Sequence, residues 1–228
     1  MRVLELFAGI GGMALGLERA GMETVGLCEI DPACRFWLRE HWPEVPIWED
    51  VTTLTGVEVH ERIGTVDLLA GGVPCQPFSS ASRGRKAGTA DARWLWPEMF
   101  RLTQELEPPW VVLENVAQFD GVALEQVASD LETGGYEVQA LEIPACAVGC
   151  DHRRERLWIL GYSDSHRESS RPVNAEVARM PWGDRDAGGV GPEDGLPGRM
   201  AALQAYGNAV VPQVAEAIGR AILSQALE

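Results

Sequence analysis

The first 160 residues alternate short apolar runs with segments of helical spacing, and this alternation limits the possible folds. Apolar runs that are bounded by Gly or Pro and separated by helices are typical of a sheet covered on both faces. The sequence therefore predicts an α/β fold with a doubly wound, mostly parallel sheet. The predicted strands are Arg2–Phe7, Thr24–Cys28, Val66–Ala70, Trp110–Leu113, Tyr136–Leu141 and Leu157–Leu160. The predicted helices are Gly12–Ala20, one capped by Asp31 with Pro32 at its first position, Arg93–Leu106, Leu124–Leu131 and Pro212–Leu227.

The regular pattern ends at Tyr162. From there to Pro197 the chain is rich in Ser, Gly, Pro, Asp and Arg, with little periodicity. A long irregular segment inside a compact domain usually has a function or is disordered. We predict an α/β domain over residues 1–161, an irregular region over 162–199, and a segment over 200–228 that returns to the first domain.

Composition narrows the classes of function. The formal net charge of −15 excludes a broad electropositive surface, and the cations concentrate in two clusters, Arg83–Arg93 and His152–Arg156. The five scattered cysteines are typical of reduced thiols in a cytosolic protein. No apolar stretch is long enough to cross a bilayer, and the first residues enter a strand without a signal-peptide cleavage site. We therefore expect a cytoplasmic protein.

A glycine turn joins the first predicted strand to the first predicted helix, over Leu4–Gly12. Glycines let the backbone approach a ligand closely, and the amino end of a helix favours anionic groups. Glu29 follows the second strand, where an acidic side chain can accept both hydroxyls of a ribose. Asp50 closes a third segment, where a carboxylate can accept a hydrogen bond from an exocyclic amine. This pattern predicts a nucleotide-containing cofactor, but dinucleotide and S-adenosylmethionine sites share it.

Two segments place a thiol and a carboxyl group directly after neighbouring apolar runs: Gly72–Gln76 and Glu114–Val116. Reactive groups gather beyond the carboxyl ends of the strands in a doubly wound sheet, so we expect Cys75 and Glu114 at one edge. A thiolate is a competent nucleophile. A carboxyl group near a bound pyrimidine can hydrogen-bond its ring nitrogen and withdraw electron density. The pair predicts a reactive site.

These segments together resemble the DNA cytosine-5 methyltransferase family. The matching blocks extend from residue 4 to about 220, in the order Phe7–Gly12, Glu29, Asp50, Pro74–Gln76, Glu114–Val116, Arg154–Arg156 and Gly207–Pro212. The short chain is similar to compact phage or prophage members. The resemblance implies a Rossmann-like, S-adenosylmethionine-dependent methyltransferase with a very short, irregular target-recognition region.

The resemblance also implies residue roles. Cys75 would add to C6 of a cytosine flipped out of double-stranded DNA, while Glu114 would hold N3 and the exocyclic amine. Arg156 would contact the cytosine or its flanking phosphate, and Arg154 would support the same pocket. Residues implied to bind the cofactor are Glu29 at the ribose, Asp50 at the adenine amine, and Phe7, Gly9, Gly11, Pro74, Leu95 and Asn208 around them. The segment Ser79–Ala92 has the composition of a loop that closes over the flipped base.

The chain departs from the family in its recognition region. Between Tyr162 and Arg199 the sequence contains five arginines and seven acidic residues, and the family's threonine–leucine pair is missing. His152 stands where the family usually has glutamine, and Ile30 replaces an aromatic residue. We expect DNA binding to be weak and sensitive to salt.

Two other functions stay open. One is a tRNA cytosine-5 methyltransferase on the same fold, and the other is a non-catalytic methyltransferase-like binding protein. A zinc site built from Cys146, Cys150 and His152 lacks a nearby fourth ligand, so we predict no metal. We expect a monomer in a bacterial or phage-infected cell, without membrane association, and a restriction endonuclease as a candidate partner.

Overall fold

The computed structural model describes residues 1–74, 94–116, 121–150, 154–163 and 209–226, and strands and helices alternate through these ranges. The strands are β1 (Arg2–Leu6), β2 (Glu23–Cys28), β3 (Ile47–Trp48), β4 (Leu68–Gly71), β5 (Trp110–Val116), β6 (Tyr136–Pro144) and β7 (Glu155–Ser163). The helices are α1 (Gly12–Ala20), α2 (Pro32–His41), α3 (Gly56–Ile63), α4 (Trp96–Leu106), α5 (Gly121–Thr133) and α6 (Pro212–Ala226), with a 3₁₀ turn at Ala145–Val148.

Within these ranges, seven strands form one sheet in the order β3-β2-β1-β4-β5-β7-β6. The first five strands along the chain pair in parallel, whereas β7 runs antiparallel between β5 and β6. The chain moves outward from β1 to β3 and then returns to β4 on the other side of β1. The carboxyl ends of β1 and β4 therefore flank a topological switch point, where open α/β sheets bind their ligands. The prediction of a doubly wound, mostly parallel sheet is confirmed.

Helices cover both faces of the sheet, because successive strand residues point to opposite sides. In β1, Leu4 and Leu6 are buried in the core cluster that includes residues of α3, α4 and α5. Val3, the neighbour of Leu4, points the other way and is buried in the opposite cluster, which includes residues of α1 and α6. Strands that are buried on both faces need the continuous apolar runs that the sequence shows.

Helices α1 and α6 pack closely because glycines of α1, which have no side chain, lie at their interface. A Cβ built on Gly12 would lie 2.4 Å from the carbonyl oxygen of Val210, and one built on Gly16 would lie 2.3 Å from that of Pro212. Buried side chains of both helices, including Leu17 and Ile218, share one core cluster. The last described segment is thereby held against the helix that follows the glycine turn.

Replacing Gly16 by valine is expected to lower the free energy of unfolding by about 3 kcal/mol, because the new side chain must push α6 away. Equilibrium unfolding in urea measures the change. The matched control is Leu15→Val, since Leu15 is exposed on the same helix and the control introduces the same β-branched residue. Equal unfolding midpoints for the two variants would contradict the close packing of α1 against α6.

Every strand predicted from the apolar runs is present, with shifted limits. β1 ends at Leu6 because Phe7 has a φ of +55°, outside the strand region. The third predicted helix, Arg93–Leu106, starts at a residue that lies outside the described ranges, and the observed helix α4 begins at Trp96. The short elements β3 and α3 were not predicted. No helix within the described ranges is both long and apolar enough to cross a membrane.

The domain division at residue 162 stays a prediction, because residues 164–208 lie outside the described part of the chain.

Candidate active site

The turn between β1 and α1 exposes its backbone at Gly9. Phe7, Gly9 and Gly11 all have positive φ values, of 55°, 55° and 84°. A Cβ built on Gly9 would meet no atom within 4 Å, so open space lies beside the backbone there. At Gly11 a Cβ would instead clash with the ring of Trp42, at 2.4 Å. The turn therefore needs glycine at Gly11 for packing and leaves room for a ligand at Gly9.

Glu29 holds this turn in place. It follows β2 and is buried, and its Oε2 accepts the backbone N–H of Gly9 at 2.7 Å. Its Oε1 accepts the N–H of Asp31 at 2.8 Å, directly before α2. Both oxygens of the predicted ribose-binding carboxylate thus fix the loops that follow β1 and β2. A ligand hydroxyl would donate to the Glu29 carboxylate oxygens, which the N–H groups of Gly9 and Asp31 already orient.

Asp50 follows β3, the neighbour of β2, and begins a tight turn. Its Oδ1 accepts the N–H of Thr52 at 2.9 Å and the Thr52 hydroxyl at 2.8 Å. The hydrogen bond from the Thr52 backbone, followed by that from its side chain, lowers the pKa of Asp50 below its ordinary value. The side chain stays charged and can accept a hydrogen bond at the same sheet edge as Glu29.

Glu114 lies near the carboxyl end of β5 and is 8% exposed. Its Oε1 lies 2.8 Å from Nε of Arg156. Arg156 stands opposite Val116 in the antiparallel β5–β7 pair, two residues from Glu114 on the same face of β5. Burial raises the pKa of Glu114, while Arg156 and Arg154 act in the opposite direction without reversing the shift. The carboxyl group therefore retains its proton to a higher pH than an exposed glutamate does.

The loop that leads to Cys75 passes beside Glu114. A Cβ built on Gly72 would lie 3.5 Å from Oε2 of Glu114. The next residue of β5, Asn115, is buried and donates from Nδ2 to the carbonyl oxygen of Val73 at 3.1 Å. Glu114 therefore lies beside this loop, and Asn115, the next residue of β5, holds the loop by a hydrogen bond. Cys75 itself lies outside the described residues.

Arg154 connects the last described segment, residues 209–226, to this site. Its Nη2 donates to the carbonyl oxygen of Ala209 at 2.7 Å. Burial and then the charge of Arg156 lower the pKa of Arg154, while the charge of Glu114 raises it. The two arginines and Glu114 therefore form one electrostatic group. Asn208, the predicted cofactor residue beside Ala209, lies outside the described residues.

Three further residues predicted to line the cofactor lie near the same sheet edge. Phe7 and Leu95 are half-buried and pack against the core cluster that includes residues of α3, α4 and α5. Pro74 is half-buried in the loop after β4. The described site residues thus fall into two groups, one around Glu114 and one around Gly9, Glu29 and Asp50.

Glu5 is a residue near the site that the sequence reasoning missed. It lies in the middle of β1, is 1% exposed, and its Oε2 accepts the N–H of Ala14 in the first turn of α1 at 2.9 Å. Burial, with smaller contributions from Glu29 and Glu18, raises the pKa of Glu5 to about 8 against the lowering effect of the Ala14 bond. A charged residue inside a strand that is buried on both faces was the available signal.

The three residues that were weighed as zinc ligands are only partly described. Cys146 is in the 3₁₀ turn and Cys150 follows it, whereas His152 lies outside the described residues. Among the residues that the structure covers, no group of three or more His, Cys, Asp and Glu could hold a metal ion.

Known proteins are similar to this chain in sequence and in fold. Residues 1–184 match the family model described as C-5 cytosine-specific DNA methylase. The chain is 48% identical over 114 residues to the type II methyltransferase M.NgoMIV of Neisseria gonorrhoeae, covering 50% of this chain and 35% of that protein. It is 34% identical over 178 residues to the type II methyltransferase M.AquIA of Picosynechococcus, covering 70% of this chain and 71% of that protein. The aligned part thus spans about a third of the first relative's length.

The fold is similar to the crystal structure of the Dnmt2 methyltransferase of S. pombe. The TM-score is 0.67 at 20% sequence identity, and the match covers 91% of this chain and 66% of that one. The structural likeness supports the fold, while the family model and the sequence relatives fix the family. The chain belongs to the C-5 cytosine-specific DNA methylase family.

Proposed function

We propose that this chain transfers a methyl group from S-adenosylmethionine to C5 of cytosine in double-stranded DNA, through a covalent bond between Cys75 and C6 of a flipped base. The observation that carries the proposal is Glu114: a buried carboxyl group with a raised pKa, paired with Arg156 and facing the loop that leads to Cys75. Family membership supports the same reaction.

The residues at the carboxyl ends of β1, β2 and β3 fit the cofactor. The open space beside Gly9 accepts a ligand close to the backbone. Glu29 would bind the ribose hydroxyls and Asp50 the adenine amine, because both are acceptors on adjacent strand ends. When bound, S-adenosylmethionine supplies an electrophilic methyl group. Residues that would line the remainder of the site are Phe7, Gly11, Pro74, Leu95 and Asn208.

Glu114 and Cys75 would activate the ring together. A protonated Glu114 donates to N3 of cytosine and accepts from the exocyclic amine, which withdraws electrons from the ring. The Cys75 thiolate forms a bond to C6, and the ring electrons move to C5, which forms the bond to the methyl group. The proton on C5 then leaves, and the electron pair it leaves behind breaks the bond between Cys75 and C6. The C5 proton passes to solvent and the proton at N3 returns to Glu114, so the products would be 5-methylcytosine, S-adenosylhomocysteine (the donor after its bond between methyl and sulfur is broken) and a regenerated thiolate.

The reacting carbon is inaccessible inside a base-paired stack, so the target cytosine must be flipped out at a cost of a few kcal/mol. We propose that Ser79–Ala92, which lies outside the described residues, closes over the flipped base, and that Arg156, held by Glu114, contacts the base or its phosphate. The acidic balance of the chain favours weak, salt-sensitive binding. We assign the reaction to a monomer in the cytoplasm of a bacterial or phage-infected cell, with a restriction endonuclease as candidate partner.

A duplex that contains 5-fluorocytosine tests the proposal. Fluorine cannot leave C5 as a proton does, so the enzyme should remain bound through Cys75 after methyl transfer. We expect a denaturation-resistant adduct that requires S-adenosylmethionine, and peptide mass spectrometry should locate it on Cys75. The target sequence is not specified, so the duplex should be a digest of bacterial genomic DNA in which 5-fluorocytosine replaces cytosine. Such a digest contains many different sequences.

The outcomes separate the other functions. Tritium transfer from labelled S-adenosylmethionine to tRNA, with none to duplex DNA, would assign the tRNA reaction. Binding of the cofactor without an adduct or transfer to either nucleic acid would assign the non-catalytic function.

A further inference from the structure

Arg101, in the second turn of α4, connects this helix to the segment after Asp50. Its Nη2 donates to the carbonyl oxygens of Val51 at 3.0 Å and Leu54 at 2.8 Å. Its Nε and Nη1 contact carboxylates of its own helix, Glu98 at 2.9 Å and Glu105 at 2.8 Å. One guanidinium group therefore holds two backbone carbonyls of the Asp50 turn while two helix carboxylates fix its orientation.

Glu105 attaches the far end of the same segment to α4. Its Oε2 accepts the backbone N–H of Gly56, the first residue of α3, at 2.6 Å, and its Oε1 accepts from Arg101. Burial alone would raise the pKa of Glu105, but the Gly56 N–H and then Arg101 lower it below the ordinary value. The carboxylate is thus charged, and the backbone from Val51 to Gly56 is held at three points along α4.

The bonds within the turn are local. The carbonyl oxygen of Asp50 accepts from the N–H groups of Thr53 and Leu54, both at 3.2 Å, and its Oδ1 accepts from Thr52. Buried side chains of Val51 and Leu54 anchor the turn in the core. Burial of apolar side chains fixes where the turn lies, but it is non-directional and does not orient the peptide groups. The hydrogen bonds from Arg101 to two carbonyl oxygens orient these groups.

We infer that Arg101 is a positioning residue that orients the Asp50 carboxylate toward the adenine of the cofactor, an inference that rests on the proposed function. Arginine suits this position because its planar group offers five N–H donors in a fixed fork. Four contacts on different sides are used here. A lysine ammonium is a single point charge and cannot hold the same set.

Binding of S-adenosylhomocysteine to the whole chain, measured by calorimetry, tests the inference without turnover. Arg101→Met is expected to weaken binding about tenfold, and Arg101→Lys by a smaller factor. In Asp50→Asn the amide oxygen can still accept from Thr52, but the amide NH2 group replaces the oxygen that would face the adenine amine. Two donors would then meet, so this variant should also weaken binding. The double variant Asp50→Asn/Arg101→Met should bind about as weakly as Asp50→Asn alone, because Arg101 acts through Asp50.

The matched control is Arg220→Met on α6. Arg220 also pairs with a glutamate of its own helix, Glu216 at 2.8 Å, and donates to a backbone carbonyl, that of Arg19 at 3.2 Å. Arg220 lies on α6, whose buried residues belong to the core cluster on the opposite face of the sheet from that of Val51 and Leu54, so this variant should bind S-adenosylhomocysteine like the wild type. A loss of binding in Arg220→Met equal to that in Arg101→Met, or additive losses for Arg101 and Asp50, would overturn the inference.

Hydrogen exchange of the Thr53 and Leu54 amides gives a second measurement that needs no ligand. Exchange in Arg101→Met should be several-fold faster than in the wild type and in Arg220→Met, because the turn loses its anchor. Unchanged exchange would overturn the role of Arg101 whatever the binding data show. If the wild type binds no S-adenosylhomocysteine, the proposed cofactor fails and the orientation toward adenine fails with it, while exchange still decides whether Arg101 holds the turn.

Discussion

Replacing Glu114 by glutamine is expected to slow methyl transfer by roughly a hundredfold to ten-thousandfold, with cofactor binding nearly unchanged. Glutamine has almost the same shape and retains an oxygen that can accept from Arg156 Nε, as Oε1 of Glu114 does at 2.8 Å. Its amide can also contact N3 and the exocyclic amine of cytosine. It cannot transfer a proton to the ring, so the loss should fall on the chemical step.

The pH dependence should change in the same variant. Burial raises the pKa of Glu114, and Arg156 and Arg154 only partly oppose it. The proton-bearing form is therefore present at low pH and is lost as pH rises through the raised pKa. We expect the wild-type rate to fall over that window, and the fall to disappear in Glu114→Gln.

The same shift has a consequence for folding. A folded pKa above the unfolded value means that stability falls as pH rises from 4.5 through the raised pKa of Glu114. Glutamine has no such ionisation, so the variant should lose this contribution to the pH dependence of unfolding.

Single-turnover transfer from labelled S-adenosylmethionine, measured across pH, tests both kinetic statements. The matched control is Glu142→Gln, because Glu142 is exposed on β6, and its strand pairs with the strand that carries Arg156. The control should transfer methyl groups like the wild type. Wild-type rates and wild-type pH dependence in Glu114→Gln would remove the carboxyl group from the proposed mechanism.

The sequence predicted the central strands well because their signal is local. Val66–Ala70 and Trp110–Leu113 are apolar runs that need burial on both faces, and the structure pairs them as parallel strands β4 and β5. The positions of Glu29 and Glu114 follow from the same rule, since each lies at or near the carboxyl end of a predicted strand. The strand before Asp50, β3, has only two residues and was not predicted, so the rule does not cover Asp50.

The contacts between side chains could not be predicted in the same way. The pairing of Glu114 with Arg156 depends on the antiparallel register of β5 and β7, which no pattern in the chain specifies. The α3 helix was missed because it is only eight residues long and depends on the Thr55 cap and on Glu105 from another helix. Arg101 gave no signal because its partners are backbone carbonyls about 50 residues away in the sequence.

Replacing Cys75 by serine is expected to abolish the adduct with 5-fluorocytosine DNA and to reduce methyl transfer by more than about a thousandfold. A serine hydroxyl is far less ionised near neutral pH than a thiol, so it cannot supply the anion that adds to C6. Cofactor binding should change little, since the substitution removes a nucleophile and leaves Glu29 and Asp50 intact. Transfer to duplex DNA and adduct formation should be measured on the same preparation.

Other cysteines provide the control. Burial, and then the charge of Glu29, raise the pKa of Cys28 to about 12 and that of Cys34 to about 11, so these thiols stay protonated near neutral pH. Cys146 is exposed, and Cys146→Ser should therefore keep full transfer and form the adduct normally. An adduct that persists in Cys75→Ser, or methylation at the rate of Cys146→Ser, would show that the sulfur of Cys75 is not the nucleophile and that Glu114 activates the ring for some other reaction.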